Sequence, residues 1–208
     1  NVFSNNRLGL SESLEGGQSL TIGSEYNLNK KNGSGLLNMS LAQIFRDINE
    51  ERFPTTSKMT NKSSDVVGMI GFTPNNFLDF DYEFSLDNDL KSANYNMAKS
   101  TISINNFITT FEFLEENNEI GSKSYLSNET SYTFNNNNKL LFRERRNRKT
   151  DIKEFYNMIY QYKNDCLVAS INYNKDYYSD RDLKPTEELF FSLTIIPFAN
   201  VGSPVISK

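Results

Sequence analysis

Asp79, Asp81 and Glu83 alternate with Phe80, Tyr82 and Phe84 in the stretch Leu78–Asp87, whose even positions are all apolar or aromatic and whose odd positions are all polar or acidic. A spacing of two sets the three carboxylates on one side of an extended strand and the rings on the other. Three like charges on one side require water there. Such a ladder can line a hydrophilic passage, or form an ordinary wetted wall balanced by bases on neighbouring strands. In hydrocarbon each charge would cost up to about 2–4 kcal/mol at a bilayer midplane, less for acids than for bases.

Other reactive inventory is thin. The chain has no histidine, which excludes Ser-His-Asp and Cys-His nucleophile pairs and His-containing zinc sites. Glu115 and Glu116 read as solvated loop ends rather than an acid–base pair. An enzyme is not indicated, and neither is a cofactor. Arg143, Arg145, Arg146 and Arg148 fall in the one strong basic run, Arg143–Lys149. Their guanidinium forks suit phosphates of an outer leaflet; the plainer readings are a solvated loop or counter-charges on a lumen wall. An isolated cluster in a chain of net charge −4 gives no case for nucleic acid. Cys166, the one cysteine, is either a small buried apolar residue or half of a disulfide to a partner outside the chain.

The elements that position these residues are strands. Turn signals divide the sequence into about eleven segments near the length a tilted strand needs to cross a bilayer: 18–29, 36–46, 65–73, 77–87, 93–104, 106–116, 122–134, 139–149, 152–163, 165–177 and 187–197. Most alternate: Leu167, Ala169, Ile171 and Tyr173 stand against Ser170, Asn172, Asn174 and Asp176, and Leu189, Phe191, Leu193 and Ile195 against Glu188, Ser192 and Thr194. Segments 122–134 and 139–149 are less clean. Short Asn-, Gly- and Pro-bearing turns alternate with longer, charged connections, as in outer-membrane barrels with short periplasmic turns and long outer loops. That parity puts Cys166 at the periplasmic rim and the Arg143–Lys149 run at the outer end.

Composition agrees. The chain of 208 residues is 37% hydrophobic with mean hydropathy −0.58, yet carries 16 Phe and 11 Tyr, which speaks against disorder. No apolar run is long enough for a transmembrane helix. A membrane barrel tolerates a low average because half of each strand faces water. The expected fold is therefore all-β: an antiparallel transmembrane β-barrel with Asp79, Asp81, Glu83, Asn172, Asn174 and Asp176 facing the lumen. The chain opens at Asn1-Val2-Phe3 without a signal peptide, and the expectation is a fragment.

The order of motifs supplies a resemblance. The best match is Gln161–Val168 followed by Tyr173–Pro185. It is joined by Asn6–Leu10 with Glu15-Gly16-Gly17, by Leu41–Arg46, and by Ser64–Gly68. In these segments the chain resembles the C-terminal barrel region of the LptD (organic solvent tolerance, OstA) family of LPS-assembly outer-membrane proteins. The resemblance implies insertion of lipopolysaccharide (LPS) into the outer leaflet, with an LptE-like plug lipoprotein, periplasmic Lpt bridge proteins and outer-membrane lipid as partners. It implies that 187–197, with Leu189, Phe191, Leu193, Ile195 and Pro197, forms one lip of a lateral gate. It also implies that Cys166 bridges to a periplasmic domain. On this view residues 1–208 are a single region, the C-terminal part of a larger barrel, forming a curved sheet that need not close; the periplasmic domain lies outside it. Two rivals stand beside this reading. One is a passive porin-like channel of about twelve strands; the other is a soluble binding sandwich.

Overall fold

The computed structural model describes residues 16–51, 60–118, 121–177, 185–195 and 199–201. Every regular element among them is a strand: β1 (Ser19–Asn29), β2 (Gly35–Arg46), β3 (Val66–Asn75), β4 (Leu78–Leu86), β5 (Ala93–Ile104), β6 (Phe107–Asn118), β7 (Gly121–Asn135), β8 (Asn138–Asn147), β9 (Ile152–Lys163), β10 (Leu167–Asp176), β11 (Thr186–Ile195) and β12 (Ala199–Val201). They form one sheet in chain order, with β1 and β12 at its two ends. The registered pairs are antiparallel, as in β1 with β2 and β10 with β11. Eleven strands match the segments read from alternation. β12 is additional; three residues are too few to show a period of two.

Asparagine explains the turns. Asn75 Oδ1 accepts from the amides of Phe77 and Leu78 at 3.1 and 2.9 Å, and Asn164 Oδ1 from those of Cys166 and Leu167 at 3.0 and 2.7 Å. Asn135 and Asn147 accept from turn amides in the same way. An Asn side chain that imitates a backbone turn is why this residue recurs between strands. Asn105 holds φ 52° in the β5–β6 turn, a left-handed conformation Asn tolerates better than most residues.

The chain divides into two compact units. The first holds β1–β4, β5 through Ser100, and Phe113–Ser124; the second holds Thr101–Glu112 and the described residues from Tyr125 onward.

Among the described residues, neither unit shows an ordinary apolar core. Among the described residues only Ala42 and Ile44 are buried hydrophobics, while Leu20 is 60% exposed and Phe191 68%. Buried positions go instead to polar side chains such as Thr109, Ser124 and Glu50. A water-soluble sheet is stabilised by the opposite arrangement.

Candidate functional site

Register fixes which side chains share a face. In the first unit Phe80, Tyr82, Phe84 and Leu86 stand opposite Phe72, Ile70, Gly68 and Val66, and Phe72 and Ile70 in turn oppose Leu37 and Met39. Leu37 and Met39 oppose Leu28 and Tyr26. This is a continuous apolar face. On the other side Asp81 opposes Gly71, which opposes Asn38, which opposes Asn27. Asp79, Asp81 and Glu83 are thus together on the polar face, with Phe80 and Tyr82 on the reverse. Thr73 Oγ1 donates to Asp79 at 2.6 Å. A polar hollow of about 190 Å³ beside Asp81 is lined in part by Asn27, Asn38 and Thr73.

The second unit has the same two faces. Tyr132, Leu140, Tyr160, Ile171 and Phe191 form one rung of the apolar side. Glu129, Arg143, Asn157, Asn174 and Glu188 form a rung of the polar side. Asn172 lies on that polar side between Ile159 and Phe190, and Asp176 between Phe155 and Thr186. Asn157 Nδ2 donates to Asn172 Oδ1 at 2.5 Å, and the Ser170 and Ser192 hydroxyls meet at 2.6 Å. These bonds run from strand to strand and leave a wettable wall.

The basic run is spread over different partners. Arg143 Nε meets Glu129 Oε2 at 2.8 Å on the polar face. Arg145 pairs with Glu154 and lies over the Tyr125 and Phe155 rings, 5.4 and 5.2 Å from their centroids. Arg146 meets Asp151 at 2.8 Å, beyond a register shift in the β8–β9 pair. Arg148 lies past the end of β8. Arg145, Arg146 and Arg148 stand at the end of the strands away from the short Asn135–Asn138 turn, whereas Arg143 sits near the middle of β8, not at the outer end where parity puts the whole run.

At that same end the apolar face turns polar and aromatic. Lys175 Nζ meets Glu187 at 3.1 Å, Tyr173 Oη donates to Glu187 at 2.9 Å, and the Tyr156 ring lies 5.7 Å from those of Tyr173 and Tyr177. Tyr160 and Tyr162 occupy the opposite, short-turn end, where Tyr160 Oη donates to Asn138 Oδ1 at 2.5 Å. Aromatic residues at both margins of an apolar band are how a barrel wall meets two water–lipid interfaces.

Leu189, Phe191, Leu193 and Ile195 share one exposed face of β11. On its far side β11 pairs with β12 only at Leu193, Thr194 and Ile195, so the edge from Thr186 to Ser192 has no strand partner among the described residues. Pro197 lies outside the described residues, as do Asn6–Leu10, Glu15 and 178–184 of the resembling segments. Cys166 is exposed in the β9–β10 turn.

One cluster lies apart from the alternation pattern. Residues 60–64 return along the end of β2: Ser64 N donates to Ile44 O at 2.9 Å and Arg46 N to Lys62 O at 2.7 Å. Ile44, Arg46 and Glu50 are buried there, with Gly16 N on Glu50 Oε2 at 2.5 Å. No periodic signal marks Glu50.

No curated protein matches the chain. A sequence model of one protein family, described as LptD: LPS transport system D, matches residues 1–159. With this match over most of its length, the chain belongs to the LptD family, whose members act in LPS transport and assembly at the outer membrane.

Proposed function

We propose that this chain forms part of the wall of an outer-membrane LPS translocon, with its polar face toward a hydrated lumen and its apolar face toward lipid. The observation that carries the reading is the inversion of burial: large apolar side chains exposed along one face, hydrogen-bonded polar side chains along the other. Asp79, Asp81, Glu83, Asn172, Asn174 and Asp176 keep the path wet for sugar. Arg143 and Arg145, each balanced by a carboxylate, serve as lumenal counter-charges that a phosphate can engage by exchange; Arg146 and Arg148 stand at the outer mouth. The family match speaks for transport over a passive diffusion channel.

The lateral gate is assigned to β11. Unpaired backbone groups in hydrocarbon cost several kcal/mol each, so its open edge from Thr186 to Ser192 calls for a strand from elsewhere in the barrel. A seam between strands that are not chain neighbours is where acyl chains can pass sideways. Pro197, without an amide donor, weakens pairing beyond that edge. An LptE-like lipoprotein plugs the lumen, periplasmic Lpt bridge proteins deliver the lipid, and Cys166 bonds to a periplasmic domain.

The test uses the full-length protein in cells depleted of the wild type. Replacing Asp79, Asp81 and Glu83 together by Lys leaves a folded, heat-modifiable barrel but lowers surface LPS several-fold. Unchanged export would contradict the lumenal path. On a nonreducing gel Cys166→Ser removes a crosslinked species; an unaltered pattern would contradict the bridge.

A further inference from the structure

The polar face of the first unit is not polar throughout. Ala42, Val67 and Ser85 make one rung on it, and Ser40, Met69 and Glu83 the next. A hollow of about 330 Å³ opens over these two rungs, with Tyr95 of β5 at its side. Ala42, Val67 and Met69 give it an apolar floor within a wall of hydroxyls, amides and carboxylates. The Tyr95 hydroxyl donates to Met97 Sδ at 3.5 Å, which ties the ring to its own strand. The following rung, Asn38, Gly71 and Asp81, belongs to the polar hollow beside Asp81. The two hollows therefore lie in file along β2, β3 and β4.

Rim and floor ask for different chemistry in one ligand. Glu83 is half-buried and has no hydrogen-bond or ion-pair partner among the described residues. A carboxylate only accepts, so a ligand must bring donors to it. Ser85 Oγ gives its proton to Asp65 Oδ2 at 3.0 Å, which leaves its oxygen as a second acceptor. Among the described residues no base lines the hollow, and Asp79 and Asp81 share its face, so phosphates and acidic sugars are repelled. An uncharged pyranose supplies what remains: a rim of hydroxyl donors and a face of C–H groups. Those slightly positive C–H groups pack on the negative face of a tyrosine ring and on the apolar floor. The volume lies at the small end of ligand sites, about 300–1,000 Å³, which is room for a sugar ring; a stable protein contact needs about 800 Å² a side.

We propose that this hollow is a subsite for one neutral hexose of the LPS glycan, packed on Tyr95, Val67 and Met69 with its hydroxyls on Glu83 and Ser85. The proposal rests on the lumenal reading above, which makes the polar face the path of the sugar. It adds a selective station to that path: the hollow beside Asp81 offers amides and a carboxylate, and the next along the strands offers a ring and an apolar floor.

The test places p-benzoylphenylalanine at Ser40, on the rim of the hollow, in the full-length protein in living cells. Ser131, on the polar face of β7 with Glu129, is the reference site. Two strains supply the probe: one with LPS that carries neutral hexoses, one with LPS truncated before them. Irradiated adducts are identified by intact mass. The expected result is an LPS adduct at Ser40 several-fold more abundant in the first strain than in the second. Tyr95→Leu should lower it several-fold, Tyr95→Phe should retain it, and the Ser131 adduct should not respond to either. Heat-modifiable migration establishes that the Tyr95→Leu barrel forms; Ala42→Leu, which fills the floor, replaces it where it does not. An equal adduct from truncated LPS, a protein mass at Ser40, a yield unmoved by the substitution, or LPS at Ser131 alone would overturn the proposal while leaving the lumenal reading intact. Absence of LPS at both sites would overturn both.

Discussion

Gly68 on β3 lies beneath the ring of Phe84 on β4, directly opposite it in the sheet, and a Cβ on Gly68 would stand 2.3 Å from Phe84 Cζ. The ring thus covers a strand glycine, filling the space its missing side chain leaves on the apolar face. Gly68→Val must displace Phe84 from that seat. The expected cost is about 1–3 kcal/mol, the range for overpacking a fitted contact. A lower urea midpoint for the refolded barrel checks it, with Gly68→Val, Phe84→Ala recovering part of the loss. An unchanged midpoint would contradict the contact.

Asn128, Thr130 and Thr109 form a closed set on the apolar side of β6 and β7. Thr109 and Thr130 hydroxyls meet at 2.7 Å, Asn128 Nδ2 donates to Thr109 at 3.0 Å, and Thr130 donates to Asn128 Oδ1 at 2.9 Å. Each polar group is satisfied by another, so the set resides among Phe and Tyr side chains at little cost. Thr130→Val leaves Asn128 with an orphaned acceptor and should cost about 1–3 kcal/mol. Replacing all three by Val or Leu should cost less than that single change. Equilibrium unfolding in lipid vesicles compares the two, and the reverse order would contradict the network.

Arg145 and Arg143 are neighbours on one face with different surroundings. Arg143 and Glu129 form a half-exposed pair, whose double-mutant coupling should lie within about 0–1 kcal/mol. Arg145 adds two ring contacts to its carboxylate, each worth about 0.5–1 kcal/mol at an exposed site. Arg145→Lys should therefore destabilise more than Arg143→Lys, since an ammonium cannot stack its plane on both rings. Equal losses would show that the rings contribute nothing.

Most of the strand map was legible because a period of two needs no long-range information. Leu78–Leu86 declares both its faces in nine residues. The blurred segments have specific causes. β7 carries Asn128 and Thr130 where apolar residues were due, because Thr109 of another strand satisfies them. β8 carries Glu144 on its apolar side, matched by Lys153 at 3.7 Å. Gln43 and Ile44 have exchanged faces relative to the pattern: Gln43 Nε2 donates to Ser63 Oγ and Ser64 O, both at 3.0 Å, while Ile44 is buried where 60–64 returns along β2. Those partners are about twenty residues away in the chain, and their pairing depends on a loop whose path no local pattern specifies. The polar-face residues were legible by parity alone. The partners of the arginines were not, because they depend on register, which the turns set.

The division of the wall into a wet and a dry side is tested most directly by a cysteine scan through Leu78–Leu86 in a cysteine-free background of the full-length protein. The account predicts labelling by a membrane-impermeant maleimide at positions 79, 81, 83 and 85, with protection at 78, 80, 82, 84 and 86. Attached fluorophores at the protected positions should instead be quenched by lipid-borne quenchers. Uniform labelling along the strand, or lipid quenching at Asp81 equal to that at Phe80, would contradict it.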